Sequence, residues 1–387
     1  MIRLLTLELP DNSRPEYDQM PHVLLVVDQF SKSLGGGERV VLKLAALLPR
    51  YGFRVSILTF YVHPESAALK SATCPVYELA LQRTYDFTAL LAAFELRRFL
   101  KQHKIRIVHT FFESSDLWAG FITKTTSAKL IWARRDMGIL RERKHSIAYR
   151  FMANFPDAVF AVSEQVRQHC IDVDHIDPAR VQTIYNGLDL ADWEAAVKPR
   201  KPSGEFLIAT VGNIRRVKGH DVFIKAAAVI ANRFPEVRFS IAGEVLEPKY
   251  FDELETLVRD FNLSDKFRFE GGVTELREYL SKADIFILPS HSEGFSNSII
   301  EAMAAALPVV ATNVGGNAEA VEDGASGLIV PADDSSALAS AIVRLLSDPS
   351  LAKAMGVAGR SIVTQRFTID AMMSHTVETY KKLIDRK

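Results

Sequence analysis

The chain has 387 residues, 48% of them apolar and 24% charged, which is typical of a folded globular protein and excludes an intrinsically disordered one. Its 47 basic and 47 acidic side chains balance, so a protein that binds nucleic acid mainly through charge is excluded as well. The two cysteines, Cys74 and Cys170, are too few for a disulfide scaffold or a structural zinc site, and we expect a cytoplasmic protein without a bound metal.

Residues 1–21 are expected to form a flexible leader, because they carry several acidic residues and lack the apolar core of a signal peptide. No run of the sequence approaches the roughly 18 apolar residues that a membrane-spanning helix needs. From residue 22 onward, short apolar strands alternate with amphipathic helices, which indicates a parallel sheet covered by helices on both faces. The predicted strands occupy 22–27, 54–60, 105–111, 129–134 and 158–163, and the strongest predicted helices occupy 38–48 and 87–101.

Residues 193–204 interrupt this alternation with a segment rich in proline, glycine and charge, which we interpret as an interdomain linker. The alternation resumes with predicted strands at 206–211, 237–242, 267–269, 285–288, 309–312 and 328–330. We therefore predict two tandem Rossmann-like, doubly wound α/β domains, at 22–192 and 205–366, that face each other across a cleft. The last segment, 367–387, is predicted to contain a helix that packs back toward the N-terminal domain.

The first candidate site motif is Gly35-Gly36-Gly37-Glu38, which lies between the first strand and the first helix. Glycines at such a turn let backbone N–H groups approach an anion at the start of the helix. The dinucleotide-binding fingerprint is not met, because Val40 occupies the position of its third glycine, and this disfavours a nicotinamide-dependent dehydrogenase. A flexible turn without a ligand is the alternative.

The second motif runs from Gly212 to His220 and contains three cations, Arg215, Arg216 and Lys218, at a predicted strand-to-helix turn. Cations near the start of a helix oppose its dipole unless an anion joins them. A phosphate or diphosphate held by Lys218 and one of the two arginines would remove this conflict. The sequence does not distinguish between the arginines, and a solvated basic loop is the alternative.

The third and strongest motif follows a strand that ends at Pro289. It places Glu293 in a loop, Ser296 at the predicted N-cap of a helix and Glu301 on that helix. The free N–H groups of a helix start bind phosphate, and carboxylates accept hydrogen bonds from sugar hydroxyls. Two acids that bracket a phosphate site are what a nucleoside diphosphate sugar requires. The alternative is a pair of solvated glutamates.

With these motifs the chain resembles the retaining glycosyltransferases of family 4 (glycosyl transferases group 1), which have the GT-B fold, from residue 23 to about residue 380. The most specific likeness is the Glu-x7-Glu pattern from Glu293 to Glu301, which continues as Ala-Met-Ala-Ala-Ala-Leu-Pro-Val-Val-Ala-Thr. The Gly-Gly-Gly-Glu loop at 35–38, Tyr-Asn-Gly-Leu-Asp at 185–189 and the Lys218-Gly219 turn match in order and spacing.

The resemblance implies a role for each of these positions. Lys218 would neutralise the diphosphate of the sugar donor, Glu293 would hold the transferred sugar and Glu301 would hold the ribose. Glu293, Lys218 and His109 are the catalytic candidates, and no cofactor is implied. The full set of implied donor-binding positions is Gly36, Gly37, Arg215, Arg216, Lys218, Gly272, Val273, Glu293, Gly294, Phe295, Ser296, Asn297 and Glu301.

The acceptor is expected in the N-terminal domain, with His109, Arg134 and Arg135 as its predicted contacts. His109 ends a strand at a position that the resemblance associates with the acceptor, although many family members carry a second histidine where this chain has Phe111. The basic segment 134–150 predicts contact with the acceptor or with an anionic membrane, so the chain is expected in the cytoplasm or at the inner face of the membrane. A solvated basic face is the alternative.

The predicted function is transfer of a hexosyl unit from a nucleoside diphosphate sugar to a hydroxyl of a glycan or lipid-linked saccharide, with retention of the anomeric configuration and without a metal. Two alternatives remain open. One is a sugar-nucleotide epimerase or hydrolase on the same fold, and the other is a nucleotide-sugar-binding subunit without catalytic activity. The sequence indicates neither the base, nor the sugar, nor the acceptor.

Overall fold

The computed structural model describes residues 2–5, 19–32, 35–81, 83–84, 86–138, 141–196 and 206–385. Most of the predicted leader and of the predicted linker lies outside these residues. The chain forms two compact units. The N-terminal unit comprises the residues up to Tyr185 together with those from Asp370 onward, and the C-terminal unit comprises Asn186–Ile369. Each unit is a parallel-sheet α/β domain, which confirms the predicted fold class.

The N-terminal unit is built on an eight-stranded sheet in the order β1-β4-β3-β2-β5-β6-β7-β8. Only β1, at the edge, pairs antiparallel with its neighbour. Three short strands, β1, β4 and β8, were not predicted because two or three residues carry no readable periodicity. The strands are β1 (Arg3–Leu4), β2 (His22–Phe30), β3 (Arg54–Val62), β4 (Val76–Glu78), β5 (Ile105–Thr110), β6 (Lys129–Arg134), β7 (Ala158–Ala161) and β8 (Val181–Thr183).

Helices cover this sheet, and two of them begin at sequence-encoded caps. The side chains of Asp86 and Ser163 accept hydrogen bonds from the N–H groups of Ala89 and Val166, in the first turns of α3 and α6. The final helix, α14, belongs to this unit. The helices are α1 (Gly36–Leu47), α2 (Ala67–Ser71), α3 (Phe87–Gln102), α4 (Gly120–Thr123), α5 (Arg143–Phe151), α6 (Glu164–Asp172) and α14 (Ile369–Asp385).

The C-terminal unit contains a six-stranded parallel sheet in the order β11-β10-β9-β12-β13-β14. The chain runs outward from β9 to β11, crosses back, and then runs the other way from β12 to β14. The direction of winding therefore reverses between β9 and β12, and in such sheets ligands bind where this reversal leaves a crevice at the carboxyl ends of the strands. The strands are β9 (Phe206–Val211), β10 (Val237–Ala242), β11 (Phe267–Gly271), β12 (Ile285–Leu288), β13 (Val309–Thr312) and β14 (Gly327–Val330).

A continuous apolar core holds this sheet to its helices. Phe223, Phe239 and Phe267 are buried and their rings pack against one another, which joins helix α7 to two strands. The helices of the C-terminal unit are α7 (His220–Arg233), α8 (Pro248–Asp260), α9 (Leu276–Ser281), α10 (Asn297–Ala304), α11 (Asn317–Ala320), α12 (Ser335–Ser347) and α13 (Pro349–Arg366). Within the residues described, no helix of either unit is long and apolar enough to cross a membrane.

Candidate active site

Two loops of the C-terminal unit meet at the point where the winding reverses, one after β9 and one after β12. The N–H of His291 donates to the carbonyl of Val217 over 2.9 Å. Gly219 has a positive φ of 63°, and a Cβ there would lie 2.1 Å from the carbonyl oxygen of Pro289. A side chain at position 219 would therefore push the loops apart, so glycine is required for their close contact.

Lys218 and Glu293, one from each loop, form the centre of the site. The ammonium of Lys218 donates to Oε1 of Glu293 over 2.7 Å, and the hydroxyl of Ser290 donates to the same oxygen over 2.7 Å. The aliphatic part of Lys218 runs along Gly212, where a Cβ would lie 3.5 Å from Cδ. The structure thus brings together two residues that the sequence places 75 positions apart.

The start of α10 lies just beyond Glu293. Ser296 occupies the predicted N-cap position, but its hydroxyl pairs with that of Ser298 at 2.9 Å and makes no side-chain capping bond. The amide of Asn186 donates to Oδ1 of Asn297 over 2.6 Å, so the Tyr-Asn-Gly-Leu-Asp motif holds the first residue of the helix. The ring of Phe295 packs against Phe367 at 5.2 Å between centroids. The N–H groups of a first helical turn lack intrahelical acceptors, which makes this end suited to an anion.

A third loop, after β13, supports the same segment from behind. The N–H of Gly316 donates to the carbonyl of Gly294 over 2.9 Å. At Gly315, where φ is 51°, a Cβ would fall 1.8 Å from the carbonyl oxygen of Glu293. The backbone that carries Glu293 and Gly294 is therefore clamped against a loop in which only glycine fits.

The two candidate arginines have different partners. Arg216 donates from one nitrogen to both carboxylate oxygens of Glu253 at 2.8 Å, and its guanidinium lies 4.7 Å from the centre of the Tyr250 ring. Arg215 has a longer contact, 3.5 Å, to the carboxylate of Glu247. Both side chains are substantially exposed. Arg216 is therefore held by α8, and Arg215 is the less constrained of the two.

Other predicted positions of this unit lie at the same edge of the sheet. Glu301 is half-buried on α10, one turn after Asn297. Gly272 and Val273 directly follow β11, and a Cβ on Gly272 would lie 2.9 Å from the side chain of Glu244. The side-chain oxygen of Asn213 accepts the N–H of Glu244 over 3.1 Å and so ties two loops together.

The N-terminal unit has its own reversal of winding, between β2 and β5, and a cavity of about 710 Å³ lies there. Gly36 and Gly37 line it, as do Asp28, Arg83 and His145. Gly37 lies against Phe112, since a Cβ there would fall 2.7 Å from the ring. The preceding loop is closed by Glu38, whose carboxylate accepts the N–H groups of Ser31 and Gly35 at 2.7 and 2.6 Å.

Asp28 is an unpredicted feature of this cavity. Its two carboxylate oxygens accept the N–H groups of Ser114 and Ser115 at 3.0 and 2.7 Å, so it joins the end of β2 to the loop after β5. Burial raises the pKa of Asp28, while these hydrogen bonds lower it. No sequence motif pointed to this aspartate, because its partners lie more than 80 residues away.

The prediction that His109 contacts the acceptor is not supported by its position. The ring is fully buried, its Nδ1 pairs with the hydroxyl of Tyr380 on α14 at 2.6 Å, and it packs against Phe111 and Phe160. Burial lowers the pKa of His109 to about 3, so the ring is neutral. This histidine is a core residue beneath the last helix, which the sequence around residue 109 could not reveal.

Arg134 is likewise internal rather than a surface contact for an acceptor. Its guanidinium donates to Asp174 over 2.6 Å, Arg141 donates to the other oxygen of the same carboxylate over 2.7 Å, and both stack on Tyr149. Arg135 is half-buried, and burial lowers its pKa to about 10. Two cations of the predicted basic surface at 134–150, Arg134 and Arg141, are thus buried and paired with Asp174.

The ion pairs of Asp174 leave its carboxylate unsuited to bind a metal ion. Asp174 ends the Asp-Val-Asp sequence at 172–174, and its carboxylate is fully occupied by the two arginines. Across the described ranges, no three His, Cys, Asp or Glu side chains are grouped so that they could hold a metal ion. Metal independence of the reaction remains a prediction.

Two family models match the chain, one for each unit. The model described as "Glycosyltransferase Family 4" matches residues 34–192, and the model described as "Glycosyl transferases group 1" matches residues 191–362. The second match contains the Lys218 and Glu293 loops and α10. Together the two models account for most of the chain.

Curated relatives share about a third of the aligned residues. The chain is 33% identical over 249 residues to D-inositol 3-phosphate glycosyltransferase of Arthrobacter sp., an alignment that covers 62% of this chain and 57% of the relative. It is 34% identical over 253 residues to alpha-maltose-1-phosphate synthase of Mycobacterium tuberculosis, covering 59% and 63%. The chain thus spans less than two thirds of the length of these relatives.

Solved structures show the same fold over nearly the whole chain. A glycosyltransferase from Rickettsia africae superimposes with a TM-score of 0.84 at 24% identity, covering 95% of this chain and 100% of the other. HepE from Anabaena, solved in complex with UDP and glucose, gives 0.80 at 21% identity, covering 93% and 99%. Both likenesses identify the two-domain GT-B architecture.

Proposed function

The chain belongs to the family 4 glycosyltransferases (glycosyl transferases group 1), and we propose that it transfers a hexosyl unit from a nucleoside diphosphate sugar to a hydroxyl of a glycan or lipid-linked saccharide. We further propose that the reaction retains the anomeric configuration and needs no metal ion. The observation that carries the proposal is the convergence of Lys218, Glu293 and the start of α10 where the winding of the C-terminal sheet reverses.

The chemical task is to stabilise the negative charge that develops on the departing diphosphate. An ammonium has three N–H donors, so Lys218 can hold Glu293 with one and phosphate oxygens with the others. The first turn of α10 would add backbone N–H groups and the positive end of the helix dipole. Arg215, the less constrained arginine, would supply a further cation.

The acids would orient the rings of the donor. Glu293 is fixed by Lys218 and Ser290 on one carboxylate oxygen, which leaves the other to accept hydroxyls of the transferred sugar. Glu301 would accept the ribose hydroxyls, and the loop at Gly272 and Val273 would lie against the base. A hexose donor is favoured because HepE was solved with UDP and glucose.

The acceptor would occupy the cavity of the N-terminal unit. A volume of about 710 Å³ is enough for one or two sugar rings. Asp28, Arg83 and His145 line it, and this mixture of charges suits a polyhydroxylated molecule more than a strongly anionic one. The acceptor is therefore proposed to be a saccharide.

The test is incubation of the full chain with a panel of labelled nucleotide sugars, with and without glycan and lipid-linked acceptors. We expect the Lys218→Ala and Glu301→Ala variants to lower turnover about 10²-fold or more, because each removes a contact to the donor. Lys225→Ala is the matched control, since Lys225 lies on α7 and pairs with Asp221. Full activity of both site variants would overturn the proposal.

The finer claims have separate readouts. Retention is tested by NMR of the product, where an inverted anomer would exclude it. Metal independence is tested by activity in excess chelator, where loss of activity would exclude it. Release of free nucleotide without any acceptor would instead indicate an epimerase or hydrolase, and donor binding without turnover would indicate an inactive subunit.

A further inference from the structure

The outward face of α3 is apolar in its first two turns. Phe87, Leu90, Leu91 and Phe94 recur with helical spacing on the side opposite the buried stripe of the helix, and all are more than half exposed. Phe87 alone is 72% exposed. The solvent-facing side of a surface helix normally carries polar residues. The apolar residues on this side of α3 therefore indicate a binding surface for an apolar partner.

The same surface continues onto two further helices. Right-handed crossovers place α3, α4 and α5 on one face of the sheet, because β4, β5, β6 and β7 follow one another in a single direction across it. Phe121 of α4 is half exposed and stacks on Phe155, which lies four residues beyond Phe151 at the end of α5. Ile147 and Phe151 of α5 are exposed as well. These seven side chains of the three helices are called here the apolar surface.

Exposed large apolar side chains are concentrated in the N-terminal unit. Ten large apolar side chains in the described part of the chain are at least half exposed, and seven of them belong to the apolar surface. Only Val229 and Val357 belong to the C-terminal unit. Scattered exposure would spread these residues over both units, so their grouping needs a common cause.

Basic side chains continue the same faces. On α3 the apolar stripe is followed, with the same spacing, by exposed Arg97, Arg98 and Lys101. On α5 the exposed cations Arg143, Lys144 and Arg150 alternate with the two apolar side chains. Aromatic and aliphatic groups flanked by arginine and lysine are the combination that inserts into the headgroup region of an anionic bilayer.

A groove between α3 and α4 lies within the apolar surface. It encloses about 430 Å³, and Leu90, Phe94, Trp118 and Phe121 contribute to its walls. Thr84 lines both this groove and the polar cavity of the same unit. Phe60 lines the polar cavity and Trp118 lines the groove, and their rings make a T-shaped contact. The groove within the apolar surface therefore adjoins the polar cavity.

We propose that the apolar surface docks the protein onto an anionic lipid bilayer, with the side chains of α3, α4 and α5 inserted among the acyl chains and the neighbouring arginines and lysines at the headgroups. This location overlaps only in part with the basic segment 134–150 expected from the sequence, because Arg134 and Arg141 are buried against Asp174 whereas the exposed cations of α5 remain on the surface. A second copy of the chain is disfavoured as the occupant. Packing two such surfaces together would bring their arginines and lysines against one another, and like charges repel.

The test is flotation of the full chain with vesicles of phosphatidylcholine alone and of equal parts phosphatidylcholine and phosphatidylglycerol. We expect binding to the anionic vesicles and weaker binding to the neutral ones. The double variant Phe87→Ser with Phe94→Ser should bind at least about tenfold more weakly, because it removes two inserted rings. Val229→Ser with Val357→Ser is the matched control, at 57% and 60% exposure in the other unit, and should bind like the wild type.

A second double variant, Arg98→Glu with Lys101→Glu, tests the proposal independently in case the phenylalanine variant does not fold. It should lose binding to the anionic vesicles and leave the weak binding to neutral vesicles unchanged, with thermal melting as the check on folding. The proposal is overturned if the wild type ignores anionic vesicles or if the phenylalanine variant floats like the wild type. It is also overturned if the wild type is a dimer and the phenylalanine variant is a monomer. No nucleotide sugar is present, so the result is independent of the proposed transfer reaction.

Discussion

Arg215 and Arg216 are adjacent in sequence, yet their side chains have different partners. Arg216 is held by a two-oxygen contact to Glu253 and by the face of Tyr250, whereas Arg215 has one longer contact to Glu247. We expect Arg215→Ala to lower kcat/KM for the nucleotide sugar about tenfold or more, as expected when a cation is removed from a phosphate. Arg216→Ala should change it less than about threefold. Steady-state kinetics on both variants decide the matter, and the reverse order would assign the diphosphate to Arg216.

His109 is expected to stabilise the fold rather than to act on the acceptor. His109→Gln should retain kcat/KM within about threefold, because the ring is enclosed by Phe111, Phe160 and Tyr380. The free energy of unfolding should fall by about 1–3 kcal/mol, since a buried packed side chain that pairs with Tyr380 is replaced. Kinetics and denaturant unfolding of the same preparation test this. A 10²-fold loss of activity at unchanged stability would contradict it.

For individual residues, the sequence predicted chemical roles better than it predicted contacts between side chains. Lys218 could be selected because a cation at a helix start opposes the helix dipole unless an anion joins it. Glu293 could be selected because a carboxylate beside a helix start that suits phosphate can accept sugar hydroxyls. No role was predicted for Ser290 or Asn186, because their roles depend on hydrogen bonds to Glu293 and Asn297. The bond from Asn186 spans 111 positions, and spacing along the chain carries no information about such a pair.

The loops between strands and helices depend on glycines that only the packing explains. Gly219→Ala combines a positive φ with a clash against the Pro289 carbonyl, so the Lys218 loop has to move. We expect at least a tenfold loss of activity together with lower stability. Gly324→Ala is the matched control, because its φ is 76° and no atom lies within 4 Å of the added Cβ. That variant should lose only about 1–2 kcal/mol of stability and keep its activity.

Activity assays and thermal unfolding of both glycine variants separate the two contributions. Equal loss of activity in the two would mean that backbone strain, rather than the contact with Pro289, disturbs the site. Wild-type activity of Gly219→Ala would mean that the loop can adjust without displacing Lys218.

Helices and strands could be predicted where they are long enough to show a repeating pattern of apolar residues. The long helix α3 and the apolar strands β2 and β5 have many residues in register with a buried face, and each was located within a few positions. The three-residue strands β4 and β8 and the short edge strand β1 were missed, since they are defined by neighbours in the sheet. The exposed apolar side of α3 was also not predicted, because this helix carries apolar residues on two opposite faces and its sequence does not show which face packs on the sheet.

Both units wind their sheets outward from a central strand and then in the opposite direction, and each has a concentration of polar residues at the reversal. Alternating strands and helices in the sequence predicted this class of fold, because strands that are apolar throughout must be covered on both faces. The order of strands within each sheet is a tertiary property and could not be predicted residue by residue. By contrast, a helix in 367–387 that packs toward the N-terminal domain was predicted, and α14 belongs to that unit.

Acid should destabilise the whole protein through histidines that folding keeps neutral. Burial lowers the pKa of His22 and of His109 to about 3, and that of His220 to about 4. The unfolded chain binds these protons below about pH 6.5, so the stability is complete above that pH and is lost as the pH falls toward 4. In the N-terminal unit Asp116 opposes the trend, because burial raises its pKa to about 7 and its contribution to stability increases on acidification.

His220 therefore offers the cleaner test, in the C-terminal unit beside the Lys218 loop. Between pH 6.5 and pH 5 its share of the loss is about 1.5 kcal/mol, because the unfolded histidine takes up its proton over this range while the folded one stays mostly neutral. We expect His220→Gln to flatten the pH dependence of hydrogen exchange in this unit by that amount. His375→Gln, which changes an exposed histidine on α14, should leave it unaltered. Because His220 begins α7 directly after Lys218 and Gly219, its protonation should loosen this turn and weaken nucleotide-sugar binding as the pH falls toward 4. An unchanged affinity near pH 4, with the fold intact, would mean that the two loops stay together when the histidine is protonated.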